Sequence, residues 1–102
     1  MQPYVLTPSA EDDLKNIARY TLELWGKKQS LHYAILLELC FLEIADRTAF
    51  SRSFSIHYPQ IQVTRCGHHY LFYSHPEGNP PCIIAVLHER MEKVARLKNR
   101  LV

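Results

Sequence analysis

The sequence predicts an α+β fold: an N-terminal strand and an α-helical hairpin packed on an antiparallel β-sheet (β-α-α-β-β-β), followed by a C-terminal amphipathic helix. Three observations support this class. Apolar residues recur every three or four positions across about 8–46, which is the period of a helix. Across about 61–88 the pattern is that of strands: two-residue alternation begins at Ile61, and Cys82–Leu87 is a nearly continuous aliphatic run, typical of a central strand buried on both faces. The helical period then returns across about 89–101.

Length and composition indicate a single domain spanning residues 1–102. A chain of 102 residues suits one hydrophobic core, and 47% hydrophobic residues exceeds what disordered chains contain. No apolar run reaches the ~20 residues of a membrane span, and the N-terminus lacks the charged and apolar regions of a secretory signal. We therefore expect a cytoplasmic protein with no membrane partner. Its three cysteines, without a Cys-x-x-Cys pair, are expected to be reduced thiols.

The first helix carries its apolar residues on one face. These residues are Leu14, Ile17, Ala18, Thr21, Leu24 and Trp25. Its start is marked by Thr7 as the N-cap with Pro8 in the first turn, or alternatively by Ser9 with Asp12 three residues later. Gly26 is the predicted C-terminal cap. We expect Trp25, at the corner of the hairpin, to lie in the core.

A second helix is predicted from about Gln29 to Asp46, antiparallel to the first because the link between them is short. Its apolar residues cover more than one face, which is typical of a helix buried on two sides. Residues 47–58 are polar and aperiodic, so they are interpreted as a loop or an irregular approach to a strand. The predicted strands are residues 4–6, 61–65, 69–73 and 82–87.

Positive charge is concentrated at the C-terminal end. Residues 61–102 hold six Lys and Arg against three acids, whereas residues 1–60 hold six against seven. Five of the six follow Leu87, on the face of the last helix opposite its apolar residues. A localised basic surface of this kind favours an acidic partner, either protein or nucleic acid.

Three blocks of residues match the pattern of a known family. They are Leu6–Leu14 with Trp25-Gly26, then Arg65–Tyr73 (RCGHHYLFY), and Val86–Met91 (VLHERM). Over nearly its whole length the chain resembles the ParE branch of the RelE/ParE toxins of bacterial type II toxin-antitoxin systems. Its G-x-H-x-x-F-Y and L-H-x-R-M patterns are the most specific parts of the resemblance. It departs from relatives in the loop around Ser51–Ser53, where they carry a Gly-Arg pair.

The resemblance implies a toxin neutralised by a ParD-like antitoxin, whose disordered C-terminal segment folds on binding to give a toxin-antitoxin hetero-oligomer. ParE relatives with an assigned target resemble poisons of DNA gyrase, whereas RelE relatives cleave mRNA on the ribosome. Both activities occur on one scaffold, so fold alone does not choose between them. We expect gyrase, with its DNA, to be the target and expect no cofactor. The alternatives are a ribosome-dependent endoribonuclease and an inactive partner-binding module.

A ribonuclease would need to bind phosphate and move protons, and the candidates are Arg65 for phosphate and His88 for the proton. Strand alternation is expected to direct them to different surfaces, and residues 54–87 hold no other Lys or Arg. We therefore favour a protein without catalytic chemistry of its own. His88 is interpreted as ending the last strand and hydrogen-bonding the start of the final helix.

Two surfaces are predicted near the C-terminus. The target-binding candidates are Arg65, His88, Arg90, Lys93 and Arg96. The antitoxin-binding candidates are Tyr73, Met91, Val94, Leu97 and Leu101, along a groove between the final helix and the sheet. Arg90 is expected either to pair with Glu89 or Glu92 or to contact the target.

The six histidines do not form a metal motif, because metal ligands recur at familiar spacings that this sequence lacks. His68 and His69 are adjacent, so an extended backbone would direct them to opposite faces. We expect no metal site.

Overall fold

The helical hairpin, the sheet and the C-terminal helix form in the predicted order. A computed structural model describes residues 3–101 of the chain. Its elements are β1 Val5–Leu6, α1 Pro8–Trp25, α2 Lys27–Ala45, β2 Ser51–Ser55, β3 Tyr58–Cys66, β4 His69–Ser74, β5 Cys82–His88 and α3 Lys93–Arg100. The strands form one five-stranded sheet in the order β1-β5-β4-β3-β2. β1 pairs in parallel with β5, and the other pairs are antiparallel, which confirms the α+β class.

The region interpreted mainly as a loop contains a strand, because β2 pairs with β3 through Ser51–Thr64, Arg52–Val63 and Ser53–Gln62. β2 is an edge strand, and its polar side chains, which are typical of sheet edges, gave no apolar pattern from which a strand could be predicted. β3 begins at Tyr58, three residues before its predicted start. Its Pro59 lies beside the register shift between Ser53 and Ser55, where a missing backbone N–H is tolerated.

The sheet separates two hydrophobic clusters. One face packs against α1 and α2 through a cluster of Ala10, Leu37, Phe41, Ile44, Cys66, Leu71, Tyr73, Ile83 and Val86. The other face carries a cluster of Ile61, Val63, Phe72, Ala85, Leu87 and Leu97. Leu97 of α3 is fully buried there, so α3 closes that face of the sheet.

The outer edge of β5 is closed by side chains where β1 ends. The Thr7 hydroxyl accepts the N–H of Ala10, which confirms Thr7 as the N-cap of α1, and donates to the Ile84 carbonyl at 3.2 Å. The Asp13 carboxylate accepts the Val86 N–H at 2.9 Å and pairs with Arg100 of α3 at 2.6 Å. Helices α1 and α3 are therefore both fixed to the same strand edge.

The prediction that α2 is buried on two sides is wrong for this chain. Leu37, Phe41 and Ile44 are buried against the sheet, but Leu31, Ile35 and Leu39 are about half exposed. Trp25, expected in the core, is 67% exposed. Both differences have one cause: no helix or strand within residues 3–101 covers the second apolar side of the hairpin.

The expectation of reduced cysteines is also wrong for two of the three. Cys40 of α2 and Cys66 of β3 form a disulfide, with their Cα atoms 6.3 Å apart. Cys82 on β5 is free and partly buried. The prediction failed because the two cysteines are 26 residues apart and meet only when α2 packs on β3. None of the helices in residues 3–101 has the length and apolarity of a membrane span.

Candidate functional site

Five polar side chains gather where β3 and β5 end and β4 begins. We call Arg65, His68, His69, His88 and Glu89 the strand-end cluster. The sheet register creates it, because Cys66 pairs with His69 and His69 pairs with His88 across the three strands. The Gly67-His68 turn then lies beside the residue after β5, and the Glu89 N–H donates to the His68 carbonyl at 2.9 Å.

Glu89 is the anionic centre of the strand-end cluster. Arg65 donates from Nη2 to one Glu89 oxygen at 2.5 Å, and His68 Nδ1 lies 3.1 Å from the other. The hydrogen bond with His68 and the charge of Arg65 hold the pKa of Glu89 below its usual value. Because the three side chains are partly or largely exposed, these contacts organise the surface more than they stabilise the fold.

His69 is the buried member of the strand-end cluster. Its Nδ1 lies 2.5 Å from the hydroxyl of Tyr33, which also accepts the His68 N–H at 3.1 Å. Its ring packs edge-on against His88 at 5.2 Å between centroids. Burial, followed by the charges of His88 and His68, lowers the pKa of His69 to about 4. At neutral pH His69 is therefore uncharged and serves as a hydrogen-bonding core residue.

The turn before β4 requires glycine. Gly67 has φ of 60°, and a Cβ placed there would lie 2.9 Å from the Tyr33 hydroxyl. Tyr33 can therefore reach the backbone of the turn only because position 67 has no side chain. Burial raises the pKa of Tyr33, so its hydroxyl remains protonated.

Tyr70 of β4 is flanked by two cations. The Arg65 guanidinium carbon lies 5.5 Å from the centre of its ring and Lys93 Nζ lies 4.9 Å from it. Lys93 also donates to the carbonyls of Glu89 and Met91, at 2.9 and 3.3 Å. These bonds fix the segment between β5 and α3, beside the half-buried ring of Tyr70.

Arg65 and His88 lie on different faces of the sheet. Arg65 is in the cross-strand row of Tyr70 and Leu87, on the side of α3, whereas His88 is in the row of His69 and Cys66, on the side of the helical hairpin. The structure thus agrees with the separation expected from strand alternation. His88 is the last residue of β5, and its Nδ1 accepts the Arg90 N–H at 3.2 Å, in the turn that leads to α3.

The remaining target-binding candidates differ in their availability. Arg90 and Arg96 are exposed and take no part in the ion pairs found within residues 3–101. Arg90 pairs with neither expected acid, because Glu89 is bound to Arg65 and Glu92 caps α3 by accepting the Val94 N–H. Lys93 is half-buried by its contacts with Tyr70 and the backbone.

The antitoxin-binding candidates divide in the same way. Met91 and Val94 are exposed and Leu101 is half-buried. Tyr73 and Leu97 are buried on opposite faces of the sheet, and the Tyr73 hydroxyl is hydrogen-bonded to Ser51. Leu97 fills the space between α3 and the sheet, where a groove was expected.

No three His, Cys, Asp or Glu side chains within the described residues converge as metal ligands. His68 lies in the Gly67-His68 turn rather than on an extended backbone. The rings of His68 and His69 both lie beside that of His88, at 6.5 and 5.2 Å between centroids, so the adjacent pair does not point to opposite faces. A separate cleft of about 610 Å³ lies at the other end of the strands, between Arg47, Gln60 and His75. It shares no residue with the strand-end cluster.

Comparisons with known proteins decide the family. A family model described as "ParE toxin of type II toxin-antitoxin system, parDE" matches residues 4–93. A protein from Escherichia coli named "Toxin ParE" is 39% identical over 101 residues, which cover 99% of this chain and 98% of that protein. The chain belongs to the ParE toxin family. As a ParE-family toxin of a type II toxin-antitoxin system, it has an antitoxin as its partner.

Four contributors to this ParE-family site were not among the predicted site residues. Glu89 appeared as a pairing partner for Arg90, while Tyr33, His68 and His69 were given no site role. Glu89 and Arg65 are 24 residues apart, and Tyr33 and His69 are 36 apart, so neither contact is local. One feature of the sequence could have indicated these residues: polar residues stand directly before the apolar strand β4 and directly after the apolar strand β5.

Proposed function

We propose that this ParE-family toxin inhibits DNA gyrase by binding the enzyme together with its DNA, and that a ParD-like antitoxin neutralises it. The observation that carries the proposal is the match to the parDE family over residues 4–93, together with the 39% identity to a protein named Toxin ParE. The resemblance of the ParE branch to gyrase poisons supplies the target.

The geometry of the strand-end cluster supports inhibition by binding rather than by bond cleavage. The phosphate-binding candidate, Arg65, is neutralised by Glu89 and lies on the face opposite His88. His69 has a pKa of about 4, so it is uncharged near neutral pH and is a poor general acid. RNA cleavage needs a base, an acid and a cation around one phosphate, and these groups do not converge in that way.

We assign target contact chiefly to Arg90 and Arg96, because both are exposed and lie outside the ion pairs of the described residues. Arg65, His88 and Lys93 support this surface by fixing the turn between β5 and α3. An exposed basic surface attracts DNA phosphates or acidic protein side chains, and the attraction weakens as salt rises.

We assign antitoxin contact to Met91, Val94 and Leu101, the exposed and half-buried apolar side chains on and beside α3. A segment with acidic and apolar residues matches the mixture of arginines and exposed apolar side chains. Tyr73 and Leu97 are buried, so they contribute only indirectly, by packing in the hydrophobic clusters. Acidic residues of the same antitoxin segment would have to extend around α3 to Arg90 and Arg96, and neutralisation would then follow from direct obstruction of the target surface.

The proposal is tested with purified toxin in two assays, DNA supercoiling by gyrase and cleavage of mRNA on translating ribosomes. We expect loss of supercoiling and intact mRNA. Arg90→Glu combined with Arg96→Glu should weaken the inhibition, whereas Lys15→Glu, on the exposed surface of α1, should not. Cleaved mRNA with normal supercoiling would establish the ribonuclease instead, and inactivity in both assays would favour a partner-binding module.

A further inference from the structure

The Cys40–Cys66 disulfide joins one accessible cysteine to one buried cysteine. Cys66 of β3 is 2% exposed and lies within the hydrophobic cluster between the sheet and the helical hairpin. Cys40 of α2 is partly exposed and packs at the margin of the same cluster. A thiolate from solvent has to reach a disulfide sulfur in order to attack it, so Cys40 is the half of the disulfide that is open to attack.

A pocket of about 230 Å³ opens beside Cys40. Its other lining residues are Glu43, Thr48, Ala49, Phe50, Thr64 and Arg65. Pockets for small molecules are typically about 300–1,000 Å³, so a pocket just below that range accepts a small thiol in preference to the active site of a protein reductant. The disulfide can therefore be approached by small molecules from the side of Cys40.

Helix α2 is attached at two points to the turn that precedes β4. Cys40 is bonded to Cys66, the residue directly before the Gly67-His68 turn. Tyr33, about two helical turns earlier on α2, accepts the His68 N–H at 3.1 Å. If the disulfide opens, the covalent attachment is lost and the hydrogen-bonded contacts of Tyr33 alone hold the helix to the turn.

The same turn belongs to the strand-end cluster. The His68 carbonyl accepts the Glu89 N–H at 2.9 Å, and the Arg65 side chain donates to the Gly67 carbonyl at 3.1 Å. Arg65 also lines the pocket beside Cys40, so the pocket and the strand-end cluster share a residue. A change at the disulfide is therefore transmitted to this surface through neighbouring backbone.

We propose that Cys40 is a site of thiol–disulfide exchange with small thiols of the glutathione class, and that this exchange determines how firmly the strand-end cluster is held. In the disulfide form the turn is fixed to α2 covalently. In the dithiol form the turn and the Glu89 N–H that bonds to it are more mobile.

The exchange takes two steps. The thiolate of one small thiol attacks Cys40 Sγ and forms a mixed disulfide with it, while the bond to Cys66 breaks and leaves Cys66 as a thiolate. A second small thiolate then attacks the sulfur of the first one, which releases Cys40 as a thiolate and a disulfide of the two small thiols. The protein gains two electrons, the small thiols lose them, and the two protons that the small thiols release are taken up by the two cysteines.

Two single-cysteine variants test which residue reacts, both in a Cys82→Ser background. Cys66→Ser keeps Cys40, and Cys40→Ser keeps Cys66, so both lack the disulfide and differ only in the remaining thiol. Each is treated with oxidised glutathione and followed by mass spectrometry. We expect Cys40 to be modified at least roughly tenfold faster, because a buried thiol is inert. In denaturant the two rates should be similar, and equal rates in the folded variants would overturn the assignment.

The unmodified protein provides a test that does not depend on how those variants fold. Its disulfide form is exposed to reduced glutathione, quenched with acid and digested, and the mixed disulfide is located by mass spectrometry. The expected adduct is on Cys40. An adduct on Cys66 would contradict the proposal, and so would a disulfide that resists glutathione and opens only with a protein dithiol.

Hydrogen exchange tests the effect on the turn. We expect reduction to speed exchange at the His68 N–H by roughly tenfold more than at the Val5 N–H, which bonds to the Pro81 carbonyl at the opposite end of β5. The comparison uses disulfide and dithiol forms of the same Cys82→Ser protein. Equal acceleration at both amides would mean that the disulfide stabilises the whole fold without controlling the strand-end cluster.

Discussion

His69 is a titratable residue that the fold keeps neutral. It is 8% exposed, bonded to the Tyr33 hydroxyl and flanked by His68 and His88, so a proton on its ring is disfavoured and its pKa is about 4. In the unfolded chain its pKa returns to about 6.5. The unfolded state therefore binds more protons than the folded state between these two values, and stability must fall as the pH falls through that window.

We predict that lowering the pH from 7.5 to 5 reduces the free energy of unfolding by about 2 kcal/mol through His69 alone. Urea denaturation at a series of pH values measures this. His69→Gln, which keeps a hydrogen-bonding side chain without titrating, should show a flatter profile over the same range. Equal pH dependence in the two proteins would show that another group is responsible.

Asp13 and Arg100 form the least exposed ion pair in the described chain. Their side chains are 13% and 18% exposed, and both also bond the edge of β5, at Val86 and Ile84. Pairing with Asp13 raises the pKa of Arg100 further. Removing one member leaves the other charged, poorly solvated and unpaired. The free-energy cost of that unpaired charge is larger than the net stabilisation that the ion pair provides.

Asp13→Ala is expected to lower the free energy of unfolding by about 3 kcal/mol, because it leaves Arg100 and the Val86 N–H without their acceptor. The neighbouring Asp12→Ala removes an exposed acid from the same helix and should cost less than about 1 kcal/mol. Denaturant unfolding of both variants gives the comparison. Similar losses in the two would mean that only the charge of the helix N-terminus matters.

At this scale the sequence predicts residue types better than contacts. Arg65 and His88 were identifiable because a cation and a histidine end the strands, and their separation followed from strand alternation. Glu89 was not identifiable as the partner of Arg65, because that contact depends on the register of β3, β4 and β5 together. Tyr33 and His69 meet only through the packing of α2 on the sheet.

At the scale of elements, periodicity located the helices and the inner strands. It missed β2, whose polar residues pair through their backbone rather than through a buried face. It could not tell how much of α2 would be covered, because that depends on the width of the sheet and on other chains. The disulfide was missed because reduced thiols were inferred from cysteine spacing, while α2 and β3 come together only in the fold.

The Cys40–Cys66 disulfide ties the helical hairpin to the sheet beside the Gly67 turn. It closes a segment with a sequence separation of 26 residues. We predict that reducing it lowers the free energy of unfolding by about 3 kcal/mol, since the unfolded chain regains that loop's freedom. Denaturation with and without reductant, in a Cys82→Ser background, measures the effect. Unchanged stability on verified reduction would mean that packing alone fixes α2.

At the scale of the whole molecule, the residues that stabilise the fold are different from the exposed residues that we propose to bind the partners. The two hydrophobic clusters, the Asp13–Arg100 pair and the disulfide hold the scaffold. The strand-end cluster fixes the turn between β5 and α3, and the exposed arginines lie on and beside α3. The exposed arginines therefore form a binding surface rather than a catalytic centre. This arrangement is consistent with the proposal that the toxin acts by binding gyrase together with its DNA.

The most direct measurement of that account is the detection of broken DNA in a gyrase reaction. Purified toxin is incubated with gyrase, ATP and relaxed plasmid, and the reaction is stopped with detergent and protease. We predict that linear plasmid accumulates with toxin concentration, that Arg90→Glu with Arg96→Glu reduces it, and that raised salt weakens it. Plasmid that stays unbroken and is supercoiled at the normal rate would contradict the proposed function.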